Sequence, residues 1–346
     1  MIYIDEGYNT NTEFPTILQP YFDGLTVGVF DIETTGLSPD FCHFILGGLG
    51  QAKEGGLPEG ELRIRQFFAE SRHEEEAALD RCLLELSKID AVITYNGTRF
   101  DMPFLKRRAA EYGFDAMYDI PHNFDLYHMI NKFSELRKIL PNLKQKTVET
   151  FFGLWDTRSD EIDGGESVAL YEIWERWGER TVLEKILLHN SDDVMQLTKL
   201  IPIVRKADVH RAMSNIGFPV NHLTVNGIRI ELTGNDSSRA AFGGRLLISG
   251  IQRHRPQRYY SYALGEHDCD IAFDDKSAEF YCAVPLRRAG SLVVLDLDRL
   301  LPEHEELLAS PFYESGFLVI KQEEHYQYAE INHFIRLFLK RILEEF

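Results

Sequence analysis

One segment, residues 27–37, constrains this chain more than any other. It reads VGVFDIETTGL, an apolar run that carries two carboxylates, Asp31 and Glu33, at its end and then breaks at Thr and Gly residues. Side chains alternate between the two faces of a β-strand, so residues two apart share a face. Asp31 and Glu33 are therefore predicted to point together from a strand end, with Ile32 turned into the core.

Two neighbouring carboxylates are costly in a folded protein unless a cation joins them. They repel each other, and they lose hydration when they are half buried. A bound divalent cation relieves both effects, and hard oxygen ligands suit Mg²⁺ or Mn²⁺. The segment thus predicts a metal site at the end of this strand.

Length and composition indicate a protein of two domains or of one large decorated domain. The chain has 346 residues, of which 44% are hydrophobic, and no apolar stretch reaches the length of a membrane span. Residues 1–14 lack the basic start and apolar core of a signal peptide. The four cysteines are scattered without a CxxC pair, which is typical of a reducing compartment, so a cytoplasmic location is expected.

Charge is distributed unevenly along the chain. The net charge is −18; residues 205–346 hold 17 basic and 20 acidic residues, whereas residues 1–204 hold 20 and 35. A strongly acidic protein attracts phosphate backbones poorly. Any contact with nucleic acid must therefore be local and depend on metal ions or on a basic patch.

The first part of the chain has the pattern of an α/β fold. The strands after the acidic segment are joined by a short loop that suits antiparallel neighbours, and the run AVITY is typical of a buried parallel strand. We predict a mixed sheet, three antiparallel strands and then parallel strands, flanked by helices. The further strands are predicted at 43–50, 61–68 and 91–95, and the helices at 73–88, 100–112, 125–133, 145–152, 166–177 and 181–203.

The second part is β-rich and ends in a helix. Residues 328–346 carry a broad apolar face with helical spacing. We place the domain boundary near 204, which gives a catalytic domain over 1–204 and an accessory domain over 205–346. Strands of the accessory domain are predicted at 223–232, 258–264, 268–274, 278–285 and 291–296.

A second acidic site follows the parallel strand. In VITYNGTRFDMPFLKRR, residues 92–108, Asn96 and Gly97 turn the chain, and Asp101 begins the next helix. Open α/β sheets bind ligands at the carboxyl ends of their parallel strands. Asp101 is therefore predicted to lie at the same sheet edge as Asp31 and Glu33.

A third acidic site lies on a long helix. In LLHNSDDVMQLTKL, residues 187–200, His189 and Asp193 are four apart and share a helix face. Asp192 would point away and face solvent, so we assign the metal to Asp193. Four carboxylates could hold two divalent ions roughly 4 Å apart, with His189 as the proton acceptor.

The three motifs resemble those of a known superfamily. FDIETTG, YNGTRFDMPFL and HNSDDV, in this order, are similar to the exonuclease motifs of the DEDD superfamily of ribonuclease H-like 3′–5′ exonucleases. The HNxxDV form, with LKQKTVETFFGL and DGGESVALY between the motifs, is most similar to the bacterial YprB-type ribonuclease H-like domain family. The resemblance covers about residues 25–203 and implies a ribonuclease H-like fold and a 3′–5′ exonuclease that cleaves single-stranded ends.

The resemblance also implies roles for individual residues. Carried over, Asp31, Glu33, Asp101 and Asp193 are the ligands of two divalent cations, Mg²⁺ or Mn²⁺, and His189 is the general base. The histidine branch of these exonucleases usually sets its His five positions before the last Asp, whereas His189 stands four before Asp193. For His189 a helix-face histidine that bonds a neighbouring carbonyl or acid remains the alternative.

Substrate contacts are predicted for a few further residues. Thr34, Asn96, Arg107 and Arg108, together with Lys106, are candidates for phosphate or substrate binding. Asn96 as a plain turn residue and the three cations as a solvated helix face are the alternatives. Asp125 is expected to cap the helix that follows it, and a position facing the metal site is the alternative.

The accessory domain offers one mixed segment. RHRPQRYYSY, residues 253–262, interleaves basic and aromatic residues, which suits a strand of nucleic acid. An amphipathic edge strand with charged outward positions is the simpler interpretation, and we favour it.

Two other functions stay open from the sequence. One is a nucleic-acid-binding module with a vestigial catalytic centre, and the other is a phosphoesterase acting on small nucleotides. The choice between DNA and RNA also stays open, because contacts to a 2′-hydroxyl cannot be placed from this sequence.

Overall fold

The structure, a computed structural model, describes residues 1–154, 159, 164–232, 243–262 and 269–345. Its contacts divide into two compact units, Met1–Val209 and His210–Phe346. The division falls after Val209, whereas the sequence placed it near 204. Among the described helices, none combines the length and the apolar character needed to cross a lipid bilayer.

The first unit is built on a six-stranded mixed sheet. The strand order is β1-β4-β3-β2-β5-β6; the first four strands are antiparallel neighbours, and β5 joins β2 and β6 in parallel. The predicted fold class, antiparallel strands followed by parallel ones, is confirmed. The strands are β1 (Ile2–Asn9), β2 (Val27–Thr34), β3 (Phe44–Ala52), β4 (Glu61–Phe68), β5 (Ala91–Thr94) and β6 (His122–Asp125).

Helices cover this sheet. Helix α2 buries Ala78, Leu79, Cys82, Leu83 and Leu86 in the main hydrophobic core, as its spacing predicts. A short 3₁₀ turn, Arg72–Glu74, precedes α2, and a second, Ile201–Lys206, follows the helix that ends at Leu200. The helices are α1 (Gln19–Phe22), α2 (Glu75–Leu86), α3 (Asp101–Tyr112), α4 (Leu126–Phe133), α5 (Leu136–Ile139), α6 (Gln145–Phe151), α7 (Gly164–Trp177) and α8 (Arg180–Leu200).

Two strands of this sheet were missed from the sequence. β1 pairs along its whole length with β4, from Ile2 with Phe68 to Asn9 with Glu61. β6 has the polar sequence HNFD, so no apolar run marks it as a strand. Both strands form because a neighbouring strand, β4 or β5, supplies backbone hydrogen-bonding groups for them to pair with. Such pairing is a long-range effect that the local sequence pattern does not predict.

The second unit is β-rich and ends in a helix, as predicted. Its sheet has the order β14-β15-β13-β12-β9-β8-β7, with β10, β11 and β16 branching from it. Strands Gly244–Gln252 and Phe317–Gln322 were missed from the sequence, and residues 263–268 of two predicted strands lie outside the described residues.

The elements of this unit, in chain order, are these: α9 (Val209–Ile216), β7 (Phe218–Val220), β8 (Leu223–Leu232), β9 (Gly244–Gln252), β10 (Tyr259–Ser261), β11 (Asp270–Phe273), β12 (Glu279–Ala289), β13 (Leu292–Asp296), α10 (Leu297–Leu300), β14 (Tyr313–Glu314), β15 (Phe317–Gln322), β16 (His325–Tyr326) and α11 (Tyr328–Leu343).

Candidate metal centre

Strand β2 ends in the two carboxylates that the sequence singled out. Glu33 is buried, and Ile32 lies in the hydrophobic core, as the alternation of a strand predicts. The pairing with β3 shifts register between Glu33 and Thr34, which is a β-bulge. Bulges commonly redirect side chains beside functional sites.

Asp101 lies at the same sheet edge, at the first residue of α3. Its side chain is buried, and its Oδ1 accepts a hydrogen bond of 3.2 Å from the backbone N–H of Ile32 in β2. Burial raises the pKa of Asp101 to about 7, and the charges of Asp125 and Glu33 act in the same direction. The predicted meeting of strand end and helix start is therefore present.

Helix α8 packs on β2 and brings His189 and Asp193 to this edge. Nε2 of His189 lies 3.5 Å from Oε1 of Glu33 and 3.6 Å from Oδ2 of Asp193. Ligand atoms of Glu33, His189 and Asp193 all lie within 4.8 Å of one another. These three side chains could hold one metal ion together.

Asp31 lies close enough to the other acids of this edge for their negative charges to act on it. Burial raises the pKa of Asp31 well above its ordinary value, and the charges of Asp193, Asp101 and Glu33 raise it further. A hydrogen bond from Asn190 acts in the opposite direction. Carboxylate oxygens with one imidazole nitrogen fit Mn²⁺ or Mg²⁺, and a divalent cation would offset both the burial and the repulsion.

Asn190 is a site residue that the sequence reasoning missed. Its Nδ2 donates to Oδ2 of Asp31 at 3.2 Å, and its Oδ1 accepts from Nε2 of Gln66 at 3.0 Å. A Cβ on Gly48 would lie 2.2 Å from that Oδ1, so only glycine allows the amide to approach β3. Its position in HNSDDV, between the predicted site residues His189 and Asp193, could have indicated its role.

Asp192 corrects one expectation. It was predicted to face solvent, but it is fully buried, and its Oδ2 accepts a hydrogen bond of 2.5 Å from the backbone N–H of Ser159. Helix α8 is covered on several sides, so a residue that turns away from the sheet edge still meets protein.

Asp125 joins the turn before α3 to the start of α4. Its Oδ1 accepts from the backbone N–H groups of His128 and Asn96, and its Oδ2 accepts from that of Thr98. The predicted helix cap is confirmed. Asn96 has a φ of 68°, as expected of a turn residue, and its predicted substrate contact remains a prediction.

The cations of α3 divide into two kinds. Arg108 is 7% exposed, and its Nε and Nη2 each donate to the carboxylate of Glu75 at 2.7 Å, so its predicted substrate role is wrong. Arg107 is exposed and pairs with Asp40 and Glu111. Substrate contact by Arg107 or by the exposed Lys106 remains a prediction.

Two further candidates are used locally. The hydroxyl of Thr34 donates to the carbonyl of Gly36 at 2.7 Å and so shapes the turn after β2; its substrate contact remains a prediction. Within residues 253–262, Tyr259–Ser261 forms strand β10, which pairs with β11. Among the described strands it stands at an edge, as the simpler interpretation predicted.

Sequence comparison finds one curated relative of unknown function. The chain is 28% identical to the uncharacterized protein YprB of Bacillus subtilis strain 168 over 197 residues, which are 56% of this chain and 42% of that protein. The chain therefore spans less than half the length of this relative.

Solved structures give weaker likenesses. A family B DNA polymerase from the archaeon Pyrobaculum calidifontis aligns over 55% of this chain and 28% of its own, with 20% identity and a TM-score of 0.41. Exonuclease I aligns over 66% of this chain and 55% of its own, with 12% identity and a TM-score of 0.33. TM-scores this low leave the family to be decided by sequence.

A family model decides it. The model of the RNase H superfamily matches residues 29–204, which is just over half of the chain and includes Asp31, Glu33, Asp101 and Asp193. The same range contains the mixed sheet from β2 onwards and helix α8. The chain therefore belongs to the RNase H superfamily.

Proposed function

We propose that this protein is a metal-dependent nuclease that hydrolyses phosphodiester bonds of nucleic acid. Membership of the RNase H superfamily supports the nuclease class. The observation that supports the metal dependence is the meeting of acids at one sheet edge: ligand atoms of Glu33, His189 and Asp193 lie within 4.8 Å of one another, and Asp101 is bonded to the backbone of the same strand, β2. The charges of Asp193, Asp101 and Glu33 all act to raise the pKa of Asp31, and a bound cation would offset this repulsion.

Asp31, Glu33, Asp101 and Asp193 are the proposed ligands of two divalent cations, Mg²⁺ or Mn²⁺. When bound, such cations activate water and stabilise the leaving oxygen of a phosphodiester. The chain's own groups orient the ligands, since Asn190 holds Asp31 and the backbone N–H of Ile32 holds Asp101.

His189 is the proposed general base. Its Nε2 faces Glu33 and Asp193, so a proton taken from the attacking water at that atom would be stabilised by two carboxylates. The water oxygen would form the new bond to phosphorus, and the bond to the leaving 3′ oxygen of the neighbouring nucleotide would break.

The finer proposal is a 3′–5′ exonuclease of the DEDD type that acts on single-stranded ends. The similarity of FDIETTG, YNGTRFDMPFL and HNSDDV to the motifs of those exonucleases supports it. Two-metal centres also serve endonucleases, so the chemistry alone does not choose between exonuclease and endonuclease action.

A digestion panel tests this function. Single- and double-stranded DNA and RNA, labelled at either end, are incubated with Mg²⁺ or Mn²⁺ and with the wild type, Asp31→Asn or the exposed-site control Asp23→Asn. We expect mononucleotides to be released first from the 3′ label of single strands by the wild type and the control. Internal fragments would refute exonuclease action, early release of the 5′ label would refute the direction, and undiminished cleavage by Asp31→Asn would refute the metal centre.

A further inference from the structure

A cavity of about 380 Å³ lies in the first unit, where α6 ends and where α8 passes into the 3₁₀ turn Ile201–Lys206. Three cations line it, Lys199, Arg205 and Lys206, together with Phe152 and other apolar side chains. This grouping is unusual in a region of the chain whose net charge is strongly negative. Three like charges around one space repel one another unless an anion joins them.

The three cations are not used by the fold. Within the described residues, none of their side chains forms an ion pair or a hydrogen bond, whereas cations elsewhere in this unit, such as Arg63 and Arg108, are paired with carboxylates. Lys199 is half buried, and this burial lowers its pKa, against the opposite effect of Asp192 and Glu149. The three side chains thus bring positive charge to the lining of the cavity, where Lys199 is also attracted by Asp192 and Glu149 and where Arg205 and Lys206 are exposed.

The size and lining of the cavity indicate an organic anion. Its volume falls in the range of roughly 300 to 1,000 Å³ that is common for small-molecule sites and exceeds what an inorganic ion needs. Phe152 offers an aromatic ring, and the ring of Phe151 packs against it edge-on, with centroids 5.3 Å apart. Arg and Lys side chains match phosphate oxygens, and an aromatic ring matches a nucleobase.

This cavity is separate from the metal centre. Lys199 follows Asp193 by six residues on α8, which places it about 9 Å further along the helix axis and about 120° around it. None of the predicted metal ligands lines the cavity. A ligand here would therefore be held by its own set of residues.

We propose that this cavity binds the phosphate of a nucleotide, with Lys199, Arg205 and Lys206 around the phosphate and Phe152 against the base. The choice of a nucleotide over other phosphate esters rests on the proposed nuclease function. The nucleotide is either a free mononucleotide or one residue of a nucleic-acid strand, and both present the same phosphate and base.

Binding measured without divalent metal isolates this site. The full chain in EDTA is titrated with adenosine 5′-monophosphate and with inorganic phosphate by calorimetry, and with a fluorescein-labelled oligodeoxythymidine by anisotropy. We expect Lys199→Ala and the double variant Arg205→Ala/Lys206→Ala to weaken binding of the nucleotide probe about tenfold. The matched control is Lys185→Ala, an exposed lysine of the same helix outside the cavity, which should bind like the wild type.

A second variant tests the base. Phe152→Leu keeps an apolar side chain but removes the ring, so it should weaken nucleotide binding about fivefold and leave inorganic phosphate unchanged. Arg205 and Lys206 are exposed and form no ion pair or hydrogen bond within the described residues, so the melting temperature of their double variant should equal that of the wild type. Lys199 is attracted by Asp192 and Glu149, so the melting temperature of Lys199→Ala is measured to separate lost binding from lost folding.

The outcomes divide clearly. Loss confined to the mononucleotide assigns a free nucleotide, loss confined to the oligonucleotide assigns a strand, and loss of both shows the shared phosphate. The proposal is overturned if the wild type binds no probe, if only inorganic phosphate binds, or if the cavity variants bind as tightly as Lys185→Ala. Cleavage by Asp31→Asn tests the metal centre independently, so failure of either proposal can be recognised.

Discussion

Two buried clusters of the first unit treat their carboxylates in opposite ways. Glu75 is fully buried, yet its pKa is lowered, because burial is outweighed by hydrogen bonds from Arg108, the backbone N–H of Phe44 and His43. Asp31, near the end of β2, has a pKa raised well above its ordinary value by burial and by three neighbouring acids.

The difference lies in the partners that the chain itself supplies. Glu75 meets two nitrogens of Arg108 at 2.7 Å, Nδ1 of His43 at 2.7 Å and the hydroxyl of Tyr112 at 3.0 Å. Among the described residues, the side-chain donor to the carboxylate of Asp31 is the amide of Asn190, at 3.2 Å. A carboxylate completed by the chain stabilises the fold, whereas one left among other acids is where we propose that a cation binds.

The largest expected effect is on cleavage. Asp31→Asn removes one charge and one proposed metal ligand, so we expect the cleavage rate to fall on the order of 10³-fold or more. The free energy of unfolding without metal should stay equal or rise, because a repulsive charge has gone. A stopped assay measures the cleavage rate, and urea unfolding measures the free energy of unfolding. A large loss of stability in Asp31→Asn would show that Asp31 stabilises the fold as Glu75 does.

Arg108→Met should act in the opposite sense. It leaves Glu75 buried without its main cation, so the free energy of unfolding should fall by about 3–5 kcal/mol. The neighbouring control Arg107→Met removes only exposed ion pairs and should change it by less than about 1 kcal/mol. Adding Glu75→Gln to Arg108→Met should recover part of the loss; equal effects of the two single arginine variants would contradict the comparison.

The two histidines extend the comparison. His189→Gln should lower kcat about 10²-fold and remove the acidic limb of the pH–rate profile, because the proposed proton acceptor is gone. His43→Gln should leave cleavage intact and lower the free energy of unfolding by about 1 kcal/mol through one lost hydrogen bond. An unchanged pH profile in His189→Gln would favour the helix-face alternative.

The pH dependence of stability should have opposite signs at the two clusters. Asp101 has a folded pKa of about 7 against an ordinary value of 3.8, so the folded, metal-free protein binds this proton more tightly than the unfolded chain. Its effect is to lower the free energy of unfolding, by at most about 4 kcal/mol, as pH rises from about 4 to about 7.

Glu75 contributes in the other direction. Its folded pKa is lowered, so its contribution is present above the ordinary value of 4.5 and is lost as pH falls through the folded value. Urea unfolding of the wild type, Asp101→Asn and Glu75→Gln across this range separates the two. Mn²⁺ should raise the melting temperature more at pH 7.5 than at pH 5.5; a shift independent of pH would contradict carboxylate ligation.

Local sequence pattern predicted most elements of the first unit. The strand around Asp31, the helix that begins at Asp101 and the long helix with His189 and Asp193 all have strong periodicity or turn signals, and the structure has them as β2, α3 and α8. Strands β1 and β6 lack such signals, because their pairing with β4 and β5 stabilises them rather than their own composition.

The sequence by itself determined which chemical groups stand at which element ends, because strand alternation and helix spacing are properties of a few consecutive residues. Only the tertiary structure decided which acids are neutralised by the chain. Glu75 meets Arg108 across 33 residues, and Asp31 meets Asn190 across 159. Burial and partners arise from such distant contacts, and they separate an acid that the chain itself neutralises from one that lies among other acids.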